Sequence, residues 1–275
     1  MKHCLLLGLF LLCGLTLAAR DIYMVSVGIS DYKYINDLTK AENDARTMAE
    51  LYRTHTVKVK ELLGSHATHD SILATLRSFY AAAKEDDIVV FFFSGHGAKG
   101  GLCAYDTQHG KNQVTYEELQ SVFRQCKSNN KQLFIDACYA GGLRSDTTSA
   151  AKSSSRPPSL LSDTEGVMLF LSSRTQEVSR ENRWSNNGFF TQYLIKGLKG
   201  AADSNADRII TAKEIYTYVS VKVAERTQKK QNPVMWGKFN DNMHIMNWNV
   251  FVKPSAEGKP AFTMPRREND SCEKN

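Results

Sequence analysis

Three segments of this chain are short and apolar on both alternating sets of positions: "IVVFFFSG" (88–95), "KQLFIDAC" (131–138) and "VMLFLSS" (167–173). A strand with one face in water alternates apolar and polar residues. A strand apolar throughout must have both of its faces covered. Segments of this kind form the middle of a mostly parallel sheet with helices packed above and below it. The remaining elements fall into the order such a sheet needs. "DIYMVSVGIS" (21–30) and "VKVKELL" (57–63) alternate as strands, and residues 43–55, 68–87, 115–126, 188–200 and 211–228 carry helical spacing. Thr68 is placed to cap one helix. Thr115 with Glu118, and Thr211 with Glu214, have the spacing of capping boxes. Strands alternating with helices predict an α/β, three-layer sandwich.

Length and composition narrow the class. The chain has 275 residues, 42% of them apolar and 23% charged, with a formal net charge of +6. That is ordinary for a globular protein with a full core. There is no long Lys/Arg block and no basic stripe interleaved with aromatics, so nucleic acid is not indicated as a partner. Residues 1–19 begin with Lys2, continue through an apolar run from Cys4 to Leu17 and end in Ala18 and Ala19. This is the layout of a cleaved signal peptide, which implies a secreted or periplasmic protein. No second run long enough to span a bilayer follows, so no stable membrane insertion is expected. Cleavage would leave Cys103, Cys126, Cys138 and Cys272, too few for a disulfide scaffold in a chain of this length. The main domain is expected over 20–252. Within it, "LRSDTTSAAKSSSRPPSLLSDTEG" (143–166) reads as a flexible linker, and 253–275 as a polar tail.

Two of the apolar strands run into reactive residues, and open α/β sheets bind ligands at the carboxyl ends of their strands. The first ends in "SGHG" (94–97), the second in "DACYAGG" (136–142). If the strands are neighbours, His96 and Cys138 emerge at one edge. A thiol beside an imidazole makes a nucleophile pair, with the thiolate attacking and the histidine accepting its proton. Gly95 and Gly97 strip bulk from both sides of His96, as a histidine that meets a substrate needs. The backbone N–H of Gly97 and that of Cys138 are candidate oxyanion donors. Gly141 and Gly142 keep the turn after the thiol open.

These motifs, with "GISDYK…AENDA" (28–45) and "SSRTQEVSREN" (172–182), resemble the caspase-like cysteine peptidases, and within them the metacaspase-type and bacterial relatives. The resemblance runs over roughly 21–235. It implies a caspase-like α/β/α sandwich, with His96 as general base and acid and Cys138 as nucleophile. It places Asp136, Asp44 and Ser94 in the pocket for the side chain before the scissile bond, and Ser172, Val178 and Ser179 along the extended substrate. A carboxylate at a pocket base suits a guanidinium or ammonium. The expected activity is therefore an endopeptidase that acts on protein or peptide substrates after Arg or Lys. The 143–166 segment falls where caspases divide large from small subunit, and its Arg144, Lys152 and Arg156 are candidate self-cleavage points. The alternatives are a related clostripain-, gingipain- or legumain-like peptidase, and a catalytically silent module that holds basic peptides.

The chemistry requires no organic cofactor. For a metal, "DSNADRIITAKE" (203–214) matches part of a calcium-binding EF-hand loop, with Asp203, Asn205, Asp207, Thr211 and Glu214 at ligand positions. The sixth position, normally Gly, is Arg208, where a positive φ costs about 1 kcal/mol. The competing reading is an acidic turn leading into the Thr211/Glu214 capping box. Many metacaspases take calcium through acids between the His and Cys motifs; here only Asp106, Glu117 and Glu118 stand there.

Overall fold

A computed structural model describes residues 20–98, 100–137, 164–173 and 187–249. The predicted signal peptide, most of the linker, the tail, Cys138, Val178 and Ser179 lie outside these. At the centre is a six-stranded sheet in the order β10-β8-β7-β3-β1-β2. Its strands are β1 (Ile22–Gly28), β2 (Val59–Leu63), β3 (Ile88–Gly95), β7 (Asn130–Ala137), β8 (Val167–Leu171) and β10 (Val234–Lys238). All pairings are parallel except that of β10 with β8.

The apolar strands are covered on both sides. On one face Val25, Phe91, Leu133 and Leu169 meet Leu73, Leu76 and Tyr80 of α2 (His69–Tyr80) and Leu119 and Phe123 of α3 (Tyr116–Gln125). On the other, Met24, Val90, Phe92, Phe134 and Phe170 meet α1 (Ala41–Arg53), α4 (Phe189–Lys196) and α5 (Ala212–Arg226). Alternate residues of each strand thus feed opposite cores. The helix starts follow the predicted chemistry. The Thr68 side chain accepts from the Ser71 N–H, and both capping boxes close.

Other boundaries differ. Helical spacing suggested one helix over 68–87, but α2 stops at Tyr80. The buried Asp87 carboxylate accepts from the backbone N–H groups of Lys84 and Asp21, and this pins "AAAKEDD" as a turn against the start of β1. Between β3 and α3 lies an unforeseen antiparallel sheet of β4 (Gly97–Ala98), β5 (Gly101–Gln108) and β6 (Lys111–Thr115). Its turn residues, His109 and Gly110, both have positive φ, 48° and 78°, as a two-residue hairpin loop requires. A second small sheet pairs β9 (Ile209–Thr211) with β11 (His244–Asn247). The end of the predicted linker belongs to the fold: Thr164 is buried and Gly166 donates to the Lys238 carbonyl. Among the described residues no helix is long and apolar enough to cross a membrane.

Candidate active site

Strand order reverses at β1. The chain leaves β1 for β2 on one side, then crosses to β3 on the other. In open α/β sheets ligands bind beside such a switch point, at the carboxyl edge of the sheet. In register, Gly28 of β1 lies beside Ser94 of β3, which lies beside Asp136 of β7. One step on, Gly95 pairs with Ala137. His96 and Cys138 are the next residues of these two strands. The pairing offset from Ser94 to Asp136 is also the offset from His96 to Cys138. Cys138 itself lies outside the described residues, as do Val178, Ser179, Arg144, Lys152 and Arg156.

His96 is half-buried and held at two points by the loop after β1. Its backbone N–H donates to the Tyr32 hydroxyl at 2.7 Å, and its ring Nε2 lies 2.8 Å from the Asn36 carbonyl oxygen. A carbonyl only accepts, so Nε2 carries the hydrogen. In the neutral ring that leaves Nδ1 as the proton acceptor. The clearance at Gly95 has a different use from the one expected. A Cβ there would lie 2.6 Å from the Tyr32 hydroxyl and 2.8 Å from the Phe93 ring, so the missing side chain makes room for Tyr32, not for a substrate. At Gly97 the ladder bond runs from the Cys103 N–H to the His96 carbonyl. Gly97 and Leu102 are therefore a non-hydrogen-bonded pair, which turns the Gly97 N–H away from β5.

Beneath this edge, on the α1 and α4 side, lie two buried carboxylates. Asp44 comes from α1, which approaches β1 closely because Gly28 has no side chain: a Cβ there would be 2.5 Å from the Ala41 carbonyl. Asp44 Oδ2 accepts from the Ser94 hydroxyl at 3.0 Å. Its Oδ1 accepts from the Asn187 amide at 2.7 Å and the Gly188 N–H at 3.1 Å. Asp136 Oδ2 accepts from the Thr191 hydroxyl at 2.8 Å. A Cβ on Gly188 would stand 3.2 Å from Asp136 Oδ2 and 3.5 Å from Asp44 Oδ2, so both acids face one point at the start of α4. Burial, and then the Asp136 charge, push the Asp44 carboxyl up to about 8, against the pull of its three neutral donors. Two acids held this close cannot both ionise cheaply without a cation between them.

Asp44, Ser94 and Asp136 thus lie together. Ser172 is not part of an open surface. It is fully buried, with its N–H on the Ile135 carbonyl and its own carbonyl accepting from the Gln231 amide. Asn187, Gly188, Thr191, Tyr32 and Asn36 are functional neighbours that the sequence did not single out. Asn36 acts through its backbone and leaves no side-chain signal, and Thr191 reads as one more polar position in a helix. Tyr32 had a signal, since it stands inside the quoted "GISDYK" stretch.

The loop proposed for calcium closes on itself. Glu214 Oε1 accepts from the Ser204 N–H and hydroxyl, and its Oε2 accepts from the Thr211 N–H and hydroxyl. Asp203 accepts from the Arg208 N–H, Asp207 from the Ile209 N–H, and Asn205 from the Asp207 N–H. Arg208 does take the positive φ expected of the sixth position, 68°. Asp106 and Glu118 are drawn to His69 instead, the first by its N–H and the second by its ring. Among the described residues no group of three or more His, Cys, Asp or Glu is placed to hold a metal ion. A cleft of about 910 Å³ lined by Arg20, Glu85, Asn130, Glu165 and His244 lies at the opposite edge, where β3, β7 and β8 begin, away from all of this chemistry.

The model of the caspase domain family matches residues 24–244. A search among curated proteins finds no match. Among solved structures, a Geobacter sulfurreducens protein is similar with a TM-score of 0.62 at 15% identity, over 85% of this chain and 100% of that one. Caspase-1 from Spodoptera frugiperda is similar with a TM-score of 0.59 at 17% identity, over 83% of this chain and 93% of that one. The mixed, mostly parallel sheet between two helical layers is the caspase fold, and with the family match spanning most of its length the chain belongs to the caspase-domain family.

Proposed function

We propose that the protein is an exported cysteine endopeptidase that cleaves after Arg or Lys. The observation that carries this reading is the pair of buried carboxylates: Asp136, one residue before the end of β7, and Asp44 of α1, which bonds Ser94 at the matching position of β3. A guanidinium or ammonium between them would relieve their repulsion, and a guanidinium can bond both. An acidic side chain before the scissile bond would bring further negative charge to two acids that already share a proton, and be rejected.

In this reading the cationic side chain enters the pocket and brings the next carbonyl to the strand edge. The Cys138 sulfur attacks that carbon while His96 Nδ1 takes the thiol proton. The developing oxyanion is met by the N–H groups of Gly97 and Cys138. As the C–N bond breaks, His96 returns its proton to the leaving amine, and an acyl-enzyme remains. Water, deprotonated by His96, then attacks the thioester, and the thiolate leaves. No metal or cofactor enters any step. The 143–166 segment, with Arg144, Lys152 and Arg156, is the proposed site of self-processing.

The test is hydrolysis of peptides that differ only in the residue before the scissile bond. Arg and Lys peptides should be cut, Asp peptides should not, and Cys138→Ala and His96→Ala should abolish cutting. Faster cleavage after Asp would refute the pocket. A protein that never cuts, and whose thiol an Arg-directed alkylating probe leaves unlabelled, is a silent module that only holds basic peptides.

A further inference from the structure

Resting on the peptidase reading, we infer that Tyr32 is a positioning residue for His96: its hydroxyl, accepting the His96 backbone N–H, fixes where the imidazole stands. Several independent contacts lead to it. The Tyr32 ring is tilted 45° to the His96 ring at 5.0 Å between centroids. Its hydroxyl receives the His96 N–H at 2.7 Å. Ser94 turns its carbonyl toward β1, where it takes the Ile29 N–H, and backbone groups alternate along a strand, so the His96 N–H two residues on also faces the β1 side. Tyr32 supplies the acceptor there.

Tyr32 is itself held in place. Its N–H donates to Asp37 Oδ1 at 2.9 Å, the Leu38 N–H closes the loop onto the Ser30 carbonyl, and the neighbouring Lys33 N–H donates to the Tyr105 carbonyl of β5. The same loop carries Asn36, whose carbonyl holds the far side of the His96 ring. One short loop thus grips His96 at its backbone through Tyr32 and at its ring through Asn36. The bare backbone of Gly95, on which a Cβ would stand 2.6 Å from the Tyr32 hydroxyl, is the complementary half of the device. The hydroxyl can reach the His96 N–H only because residue 95 has no side chain. Tyr32 is 8% exposed, and burial raises its hydroxyl well above the usual phenol range. It therefore stays protonated and touches neither the substrate nor the reacting atoms.

The test is Tyr32→Phe in the full chain, which keeps the ring and removes the acceptor. A catalytic group displaced by about 1 Å loses about a hundredfold in rate. The expected result is a kcat lower by about tenfold to a hundredfold on an Arg peptide, with KM changed less than about threefold and the melting temperature nearly kept. Gly95→Ala, which crowds the hydroxyl, should give the same pattern, and the double variant should be no worse than either alone. A Tyr32→Phe enzyme with wild-type kcat overturns the inference. So does one whose activity falls only in proportion to lost folded protein, which marks Tyr32 as merely structural. His96→Ala is the control that separates this from the peptidase reading. If that variant still cuts, the peptidase reading fails; if it is dead and Tyr32→Phe is normal, only the positioning role fails.

Discussion

Asp44 and Asp136 confront one another across the start of α4, and their chemistry is legible in a pH titration. Burial, followed by the Asp136 charge, raises the Asp44 carboxyl from 3.8 to about 8. Below that pH the empty pocket holds a proton, which an entering cation must expel. An amidinium ligand such as benzamidine should therefore bind more tightly as pH rises from 6 to 8, by at most about tenfold per pH unit for one proton released. Asp44→Asn should flatten the dependence. Calorimetry in two buffers of different ionisation enthalpy reads both affinity and proton release, and a flat wild-type profile would mean that the acids do not hold the cation. The same proton affects stability. The folded chain keeps it while the unfolded chain loses it above about 4, so this group's contribution to stability falls as pH rises from about 4 to about 8. His55 acts in the opposite sense. Burial against Trp248 lowers its imidazole to about 4, so the folded state refuses a proton that the unfolded chain binds, and stability is lost as pH falls from 6.5 toward 4. Melting curves of Asp44→Asn should lack the decline between pH 6 and 8. His96 and Cys138 were visible in the sequence because side-chain type and strand position mark them, whereas Asp44, Ser94 and Asp136 were singled out only through the family resemblance. Asn36 was not, since any residue offers the same carbonyl.

At the scale of elements, the distance of α1 from β1 sets the pocket. A Cβ at Gly28 would lie 2.5 Å from the Ala41 carbonyl and 2.6 Å from the Ala45 Cβ, and Ser26 already bonds the Ala45 carbonyl at 2.8 Å. Gly28→Ala should force α1 outward and destabilise the fold by about 1–3 kcal/mol. Because α1 carries Asp44, it should also raise KM for Arg peptides more than it lowers kcat. Thr115→Ala, which opens the α3 capping box, should cost about 1 kcal/mol and leave both kinetic constants alone. Denaturant melts and peptide kinetics on the two variants separate a helix that only packs from one that shapes the site. Capping boxes were readable because their partners lie within one helical turn. The length of α2 was not, because the group that ends it is Asp87, which binds the Asp21 N–H across a long sequence gap. The β5–β6 hairpin hid for a related reason. Its turn signal is His109-Gly110, not the commoner Asn-Gly, and its apolar face is defined only by the core under it.

At the scale of the molecule, the six-stranded sheet delivers groups from β1, α1, β3, β7 and α4 to one edge. The chain that emerges from β7 there is the one that carries Cys138 and then the Ser/Pro-rich segment. Incubated alone, the wild type should be clipped after one or more of Arg144, Lys152 and Arg156, while Cys138→Ala stays whole. Intact-mass measurement decides this, and equal clipping of both proteins would exclude self-processing. Added calcium should change neither the cleavage nor the melting temperature, since both oxygens of Glu214 and Oδ2 of Asp203 already accept from backbone N–H groups. By itself, the order of apolar strands and amphipathic helices determined a layered α/β fold, because burial on both faces is written into which residues are apolar. The motif residues determined which chemistry was available. Only the tertiary structure decided that Gly28, Ser94 and Asp136 stand in one row, that Asp44 leans over them from α1, and that the loop after β1 grips His96 at two points. Such contacts join backbone and side chains far apart in the chain, and their distances are set by the packing of layers, which no local pattern encodes.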